Sequence, residues 1–166
     1  MTQAARSQPA TTGSPPRSGD PRIELAGLFL EAHRGLMARL ADVHGRHGLQ
    51  GTEFTCLLRL SRSPRQQLRM SDLAAQTGTS TSGITSVVDR LLAAGLVTRE
   101  ASPEDRRSLL VRLTDDGAAR LAADLEDLVE VLEECVEAPI GPDRDAVARA
   151  LRNVRDVVAP QAGQVT

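Results

Sequence analysis

The sequence has no lysine, no tryptophan and no tyrosine, and only two phenylalanines and two cysteines among its 166 residues. Two cysteines cannot form the disulfide framework of a small secreted domain. No apolar run reaches the roughly 20 residues that a membrane-spanning helix needs. The first 20 residues lack the apolar region of a secretory signal. We therefore expect a cytoplasmic protein with one domain, since a chain of this length is too short for two sizeable cores.

Charge is unevenly distributed along the chain. All 20 basic residues are arginines, and the formal net charge is −2. Residues 57–112 carry nine arginines against five acidic residues, whereas residues 113–138 carry one arginine against nine acidic residues. Binding to nucleic-acid phosphates requires a local basic surface, whatever the total charge. The segment 57–112 is therefore compatible with binding to nucleic acid.

Apolar residues recur at helical spacing over most of the chain. The terminal segments 1–20 and 160–166 are instead polar or rich in Pro, Ser, Thr and Gly, and we expect them to form flexible tails. The periodicity predicts helices over about 22–46, 52–61, 71–76, 81–94, 115–137 and 143–158.

Between the helix predicted at 81–94 and the helix predicted at 115–137, the spacing of apolar residues changes. Residues 96–101 and 108–113 contain β-forming residues in partial alternation, and the polar segment 102–107 separates them. This pattern predicts a β-hairpin. Two short helices followed by a charged hairpin are typical of the winged helix-turn-helix, in which the second helix enters the major groove of DNA and the hairpin, or wing, reaches the minor groove.

Five motifs follow one another between Met70 and Leu121: SDLA, DRL, GLVTR, a D-x-R in the polar turn, and LTDDG. On these motifs the chain resembles the MarR family of transcriptional regulators. The resemblance implies a mainly α fold with a small β-hairpin wing, in which a winged helix-turn-helix DNA-binding lobe joins a helical dimerisation body. It implies one domain at 21–159, with the DNA-binding lobe at about 52–114 and the dimerisation helices at about 22–46, 115–137 and 143–158.

The resemblance also implies a function. Family members bind pseudo-palindromic double-stranded DNA operators as homodimers, and repression is more common among them than activation. A small organic molecule, often phenolic or a carboxylate, binds where the dimerisation body meets the DNA-binding lobe and releases the DNA. We expect neither an enzyme nor a bound cofactor, because the sequence contains no Gly-rich phosphate loop, no supported nucleophile grouping and no H-E-x-x-H motif.

The resemblance assigns DNA contacts to the wing and to the helix at 81–94, which is called the recognition helix because it would enter the major groove. In the wing, Arg107 would enter the minor groove, Asp105 would orient its guanidinium group and Arg106 would contact phosphate. Arg90, near the end of the recognition helix, would contact phosphate or form a salt bridge. Hydroxyl groups discriminate bases less sharply than a bidentate Arg or Asn, which gives more weight to DNA shape. The groove-facing hydroxyl residues of the helix would be Ser80, Thr81, Ser82, Thr85 and Ser86.

The resemblance also predicts a ligand site, whose residues are assigned by their positions in the family's fold. With no Trp and no Tyr, the pocket would be mostly aliphatic, so aromatic stacking would contribute little. A charged group such as Arg59 or His33 would pair with a phenol or an organic acid. The residues expected to line this pocket are Phe29, His33, Met37, Phe54 and Arg59.

Two alternative functions remain open. The first is a winged-helix regulator switched by cysteine oxidation or by zinc, through Cys56, Cys135, His44 or His47. Apolar neighbours favour a packing role for the cysteines, and the predicted helix 115–137 has no histidine to complete a zinc site. The second is a winged-helix scaffold that binds protein instead of DNA, which the two adjacent arginines of the wing disfavour.

Overall fold

The structure, a computed structural model, describes residues 19–101 and 108–159. The chain divides into two compact units, one that ends at Gly35 and one that begins at Leu36. In the first unit, the described residues from 21 onward are helical and almost all exposed. The buried core described below belongs to the second unit.

Helices and strands follow the predicted order, and most of their ends lie within one residue of the prediction. Short 3-10 turns at Pro64–Gln66 and Gly141–Asp143 and a π-helical turn at Glu133–Glu137 connect some of them. The elements are α1 (Pro21–Arg46), α2 (Gly51–Arg62), β1 (Gln67–Arg69), α3 (Met70–Thr77), α4 (Thr81–Ala93), β2 (Val97–Ala101), β3 (Leu109–Leu113), α5 (Asp115–Leu132), α6 (Ala138–Ile140) and α7 (Arg144–Val158).

The described residues contain a three-stranded antiparallel sheet with the strand order β1-β3-β2. Strands β2 and β3 form the predicted hairpin, with Val97 opposite Leu113 and Ala101 opposite Leu109. Strand β1 lies on the other side of β3, where Arg69 is opposite Leu110. The sequence did not predict β1, because three residues are too few to show alternation.

The core of the second unit lies between the short helices and the sheet. Helix α4 buries one face, and α2, α3, β3 and the start of α5 pack against the same cluster. The fully buried large side chains include Leu57, Leu60, Leu73, Ile84, Val88, Leu91 and Val111. Because α4 buries only this one face, its opposite face is left exposed.

The junction between β3 and α5 explains the LTDDG motif. Thr114 caps α5, since its side-chain oxygen accepts a hydrogen bond from the Gly117 N–H at 3.0 Å. The same hydroxyl donates to the backbone oxygen of Gly95 at 2.9 Å. Gly117 is buried, and a Cβ there would collide with the backbone oxygen of Leu96. The motif therefore lets the first turn of α5 pack directly on the start of β2.

Helical structure after α5 extends further than predicted. Regular α-helix ends at Leu132, a wider π-helical turn follows, and α6 runs to Ile140. Pro139 lies in α6 directly after the π-helical turn, and its ring has no N–H to donate to the preceding turn of the helix. The chain leaves the helix at Gly141, whose φ of +51° favours glycine. None of the helices in the described ranges is long and apolar enough to cross a bilayer.

Candidate nucleic-acid interface

Helix α4 has a well-defined start. Gly78 ends α3 in the left-handed region with φ +64°, which turns the chain between the two helices. Ser80 caps α4, because its Oγ accepts a hydrogen bond from the Gly83 N–H at 3.1 Å. A Cβ on Gly83 would lie 2.7 Å from the Thr79 methyl group, so a small residue is needed there for packing within the chain.

The predicted hydroxyl residues lie on the exposed side of α4. Ser80, Thr81, Ser82 and Ser86 are exposed and Thr85 is half-buried, whereas the opposite face is buried in the core. Thr85 Oγ1 donates to the Thr81 backbone oxygen at 2.9 Å, and Ser86 Oγ donates to that of Ser82 at 3.3 Å. Two of the hydroxyl protons are thus engaged, and their oxygens keep lone pairs that can accept hydrogen bonds.

Arg90 forms an ion pair inside the protein. Its Nε donates to Glu53 Oε1 at 2.6 Å, and its Nη2 donates to Gln50 Oε1 at 3.3 Å. Glu53 is only 6% exposed, and its second oxygen accepts the Gln50 backbone N–H at 2.8 Å. Of the two roles expected for Arg90, the salt bridge is therefore present in the structure. Glu53 was missed as a site residue, although the spacing of Gln50 and Glu53 matches a capping box at the start of α2.

A second ion pair connects α4 to the hairpin. Arg99 Nη1 on β2 donates to Asp89 Oδ1 at 3.0 Å, and the Asp89 side chain is more than half exposed. Exposed pairs of this kind contribute little to stability. Asp89 therefore has a structural partner within the protein.

The predicted wing residues Asp105, Arg106 and Arg107 lie outside the described residues. The described strands end at Ala101 and resume at Leu109, which pair with each other. The assignments of the three wing residues stay predictions.

Two of the five predicted ligand-pocket residues line one cavity. Met37 and Phe54 bound a cavity of about 590 Å³ between the C-terminal part of α1 and the first turn of α2, together with His44 and Gln50. Arg59 does not line it. The Nε of Arg59 is buried and has no hydrogen-bond partner in the described part of the chain. Phe29 and His33 belong to the first unit, where both are exposed.

A buried histidine–aspartate pair borders this cavity, and the sequence analysis missed it. His44 Nδ1 lies 2.9 Å from Asp124 Oδ1 and 3.0 Å from Oδ2, and Asp124 is completely buried. The Phe54 ring stacks on the His44 ring with a centroid distance of 4.2 Å. The only available signal was the position of Asp124 on the apolar side of α5, three residues after Leu121.

The neighbouring histidine also has a carboxylate partner. His47 Nε2 lies 3.0 Å from Asp127 Oδ2, and Arg46 Nη2 donates to the same oxygen at 3.1 Å. These two hydrogen bonds, that of His47 foremost, lower the pKa of the Asp127 carboxyl. Within residues 19–101 and 108–159, no three His, Cys, Asp or Glu side chains are placed to hold a metal ion.

The two cysteines differ in how deeply they are buried. Cys56 is completely buried, and this burial raises the pKa of its thiol to about 12, with a further contribution from the Glu53 carboxylate. Since the thiolate is the reactive form, Cys56 is poorly suited to redox sensing. Cys135 is half-buried in the π-helical turn.

Two short helices, an exposed polar face on the second of them and an adjoining β-hairpin define a winged helix-turn-helix protein. The family model of the MarR family matches residues 47–108. The HTH-type transcriptional regulator MhqR of Bacillus subtilis is 33% identical over 119 residues, which are 68% of this chain and 81% of MhqR.

Solved structures agree with this match. Sco3205, a MarR family regulator from Streptomyces coelicolor solved in complex with DNA, is 27% identical and has a TM-score of 0.77, over 90% of this chain and 95% of that one. The repressor CouR of Rhodococcus jostii, solved on a 23-mer DNA duplex, is 26% identical with a TM-score of 0.68, over 85% of this chain and 99% of that one. The chain belongs to the MarR family and is a DNA-binding transcriptional regulator. The predicted fold class is confirmed, and so is the expectation that the chain is not an enzyme.

Proposed function

We propose that the chain is a homodimeric repressor that binds a pseudo-palindromic DNA operator and is released from it by a small phenolic or carboxylate ligand. The observation that carries the DNA part is the division of α4 into two faces. One face is buried in the core and the other presents hydroxyl groups to solvent. A helix held in this way fits the major groove of B-DNA, which is about 12 Å wide.

The DNA contacts are proposed for two segments. Ser86 and its neighbours on α4 would accept hydrogen bonds from the amino groups of bases, since hydroxyl protons on this face already bond to backbone oxygens. Arg107 would enter the minor groove beside α4, with Asp105 as its orienting partner and Arg106 on phosphate. The recognition-helix set consists of Ser80, Thr81, Ser82, Thr85 and Ser86.

An apolar surface that no other described residue covers supports the homodimer. Helix α7 is strongly amphipathic, yet Val154 and Val158 on its apolar face are 48% and 73% exposed. A helix with such a face is stable when the face is covered. A second copy of the chain would cover it, and a two-fold dimer requires two half-sites of matching symmetry on the DNA.

The cavity beside Phe54 supports a ligand response. Its walls are largely apolar, and His44 is the titratable side chain among those that line it. In the tautomer that donates Nδ1–H to Asp124, His44 Nε2 is left as an acceptor. A phenol hydroxyl can donate to that nitrogen. With His44 as the one assigned hydrogen-bond partner and little stacking, we expect a dissociation constant on the order of micromolar.

The DNA part is tested by selection from a random duplex pool with the full chain. The expected winners are inverted repeats with half-site centres about one helical turn apart, or roughly 34–36 Å. Direct repeats or single-stranded winners would contradict the proposal. Sedimentation of the chain alone and with the selected duplex gives the stoichiometry, for which two chains per duplex are expected.

The ligand part is tested with pairs of molecules that differ in one donor. A phenol and its methyl ether have similar shape, but only the phenol donates a hydrogen bond to His44 Nε2. We expect the phenol to raise the melting temperature and release labelled duplex, and its ether to do so at least about tenfold less well, because it leaves a polar group unpaired. Equal effects of both molecules would refute the assigned contact. No effect from any pair would favour a ligand-independent repressor.

A further inference from the structure

The buried carboxylate of Glu53 faces the recognition helix and carries a role that no motif assigns to it. We propose that Glu53 positions α4 for DNA through its ion pair with Arg90, and that Arg90 acts through this pair and not as a phosphate ligand. The proposal rests on the proposed function in one respect only, namely that α4 is the element that contacts DNA.

Both carboxylate oxygens of Glu53 accept a hydrogen bond. Its Oε1 accepts from Arg90 Nε at 2.6 Å, and its Oε2 accepts from the Gln50 N–H at 2.8 Å. The Gln50 side chain in turn accepts from Arg90 Nη2 at 3.3 Å. The Glu53 side chain is 8% exposed, against 45% for that of Arg90. Glu53 in the first turn of α2 and Gln50 just before it thus bind two nitrogens of one guanidinium group.

The Glu53–Arg90 pair restrains the orientation of α4 in a way that apolar packing does not. The contacts of Ile84, Val88 and Leu91 with the core are non-directional, whereas a charge-assisted hydrogen bond fixes both distance and angle. Arg90 lies four residues after Ser86, on the same row of the helix surface. Holding the Arg90 guanidinium therefore restrains the rotation of α4 about its own axis, in addition to the packing of its buried face, and with it the direction of the row of hydroxyls.

A small rotation is enough to matter. Side-chain tips lie about 5–6 Å from the axis of a helix, so a rotation of about 10° moves them by about 1 Å. Hydrogen bonds to base edges tolerate only a few tenths of an ångström around their preferred length. Loss of the Glu53–Arg90 pair is therefore expected to weaken binding to the selected operator while α4 stays folded.

The competing role, a phosphate contact by Arg90, predicts the opposite sign for one substitution. Glu53→Gln removes a negative charge near the DNA, which by electrostatics alone would strengthen binding. If Glu53 positions α4, the same substitution weakens binding. Glutamine keeps the cap at the start of α2, because either Glu or Gln completes a capping box. The fold is therefore retained, and melting curves verify this.

The experiment measures the affinity of the full chain for its selected duplex over a range of salt concentrations. Glu53→Gln and Arg90→Gln are each expected to weaken binding by about tenfold, or about 1.4 kcal/mol. The double variant is expected to be no weaker than either single one, because both remove the same bond. The matched control is Asp72→Asn, which removes an exposed acid of the neighbouring helix α3 and is expected to leave affinity unchanged or slightly raised.

Two further measurements distinguish positioning from a phosphate contact. Arg90→Lys keeps the charge that a phosphate needs but loses the two-nitrogen geometry, so we expect it to weaken binding as Arg90→Gln does. The slope of log K against log salt is expected to stay unchanged in all variants, since one lost phosphate contact lowers it by about 0.9. Wild-type affinity in Glu53→Gln or Arg90→Lys, or a reduced slope in Arg90→Gln, would overturn the proposal. Failure of the wild type to bind any duplex would instead refute the proposed function.

Discussion

Gly117 gives the sharpest test of how α5 is attached to the DNA-binding lobe. A Cβ at this position would collide with the Leu96 backbone oxygen and lie 2.9 Å from Leu113 Cδ1. The Leu96 oxygen cannot simply move away, because it accepts the Thr114 N–H at 3.1 Å at the start of the same helix. The substitution Gly117→Ala must therefore displace the first turn of α5 or the start of β2.

The expected size follows from two opposing terms. Overpacking of a buried site costs about 1–3 kcal/mol, and the upper part of this range applies because the collision is with backbone. Alanine regains about 1 kcal/mol of helix propensity over glycine. About 2 kcal/mol of destabilisation remains, which lowers the melting temperature of a chain of this size by roughly 4–8 °C.

The matched control is a glycine with the same propensity gain and no collision. Gly35 lies within α1, and a Cβ there would meet nothing within 4 Å. Gly35→Ala is therefore expected to leave stability unchanged or to raise it by up to about 1 kcal/mol. Both variants are compared with the wild type in melting and urea unfolding at one protein concentration, since a dimer melts in a concentration-dependent way. A Gly117→Ala variant as stable as the wild type would refute the packing argument.

Three other predictions concern separate parts of the chain. Arg107→Ala is expected to weaken operator binding by about 1–3 kcal/mol with an unchanged melting curve, and Asp105→Ala less, which binding isotherms at one fixed salt concentration check. Asp124→Ala is expected to lower the free energy of unfolding in urea by about 1–3 kcal/mol, because it leaves the buried His44 Nδ1 without its acceptor. The control is Asp127→Ala at the more exposed neighbouring pair, and an equal or larger effect of this control would count against the prediction. Cys56 is expected to resist alkylation at pH 7–9 until the chain unfolds, since its pKa of about 12 keeps the thiol protonated. Mass spectrometry measures the alkylation, and rapid modification of Cys56 in the folded protein would contradict the prediction.

Periodicity along the sequence was sufficient for the helices and for the two faces of α4. Ile84, Val87, Val88 and Leu91 follow the helical repeat, so the buried face could be derived from local spacing. The exposed position of the intervening hydroxyl residues follows directly. The family motifs gave the order of the remaining elements, since each motif marks the start or the end of one of them.

The interactions that were missed join residues far apart in sequence. Glu53 and Arg90 are 37 positions apart, and His44 and Asp124 are 80 apart. Local spacing contains no information on which acid meets which base across such distances. Strand β1 was missed for a related reason, because it exists through pairing with β3 more than 40 residues later. Arg59 was assigned to the ligand pocket by position in the family's fold; its side chain does not line the cavity beside Phe54, and the assignment stays a prediction.

The first turn of α2 connects the two parts of the proposed mechanism. Phe54 borders the cavity and stacks on His44, and the residue before it, Glu53, holds Arg90 of α4. Gln50 borders the cavity and also bonds Arg90. A phenol bound beside Phe54 is therefore expected to act on the turn that, in our proposal, orients the recognition helix.

This arrangement predicts that the ligand response depends on the Glu53–Arg90 pair. The ratio of DNA affinities without and with a saturating phenol measures the coupling between the two sites, and by linkage the same factor must appear in phenol affinity with and without DNA. Glu53→Gln is expected to reduce this factor, because α4 in the variant has lost its bond to the turn on which the ligand is proposed to act. A variant that binds DNA weakly but keeps the full coupling factor would show that the ligand acts by another route. In that case the response would have to pass through the contacts of α5 with His44 instead.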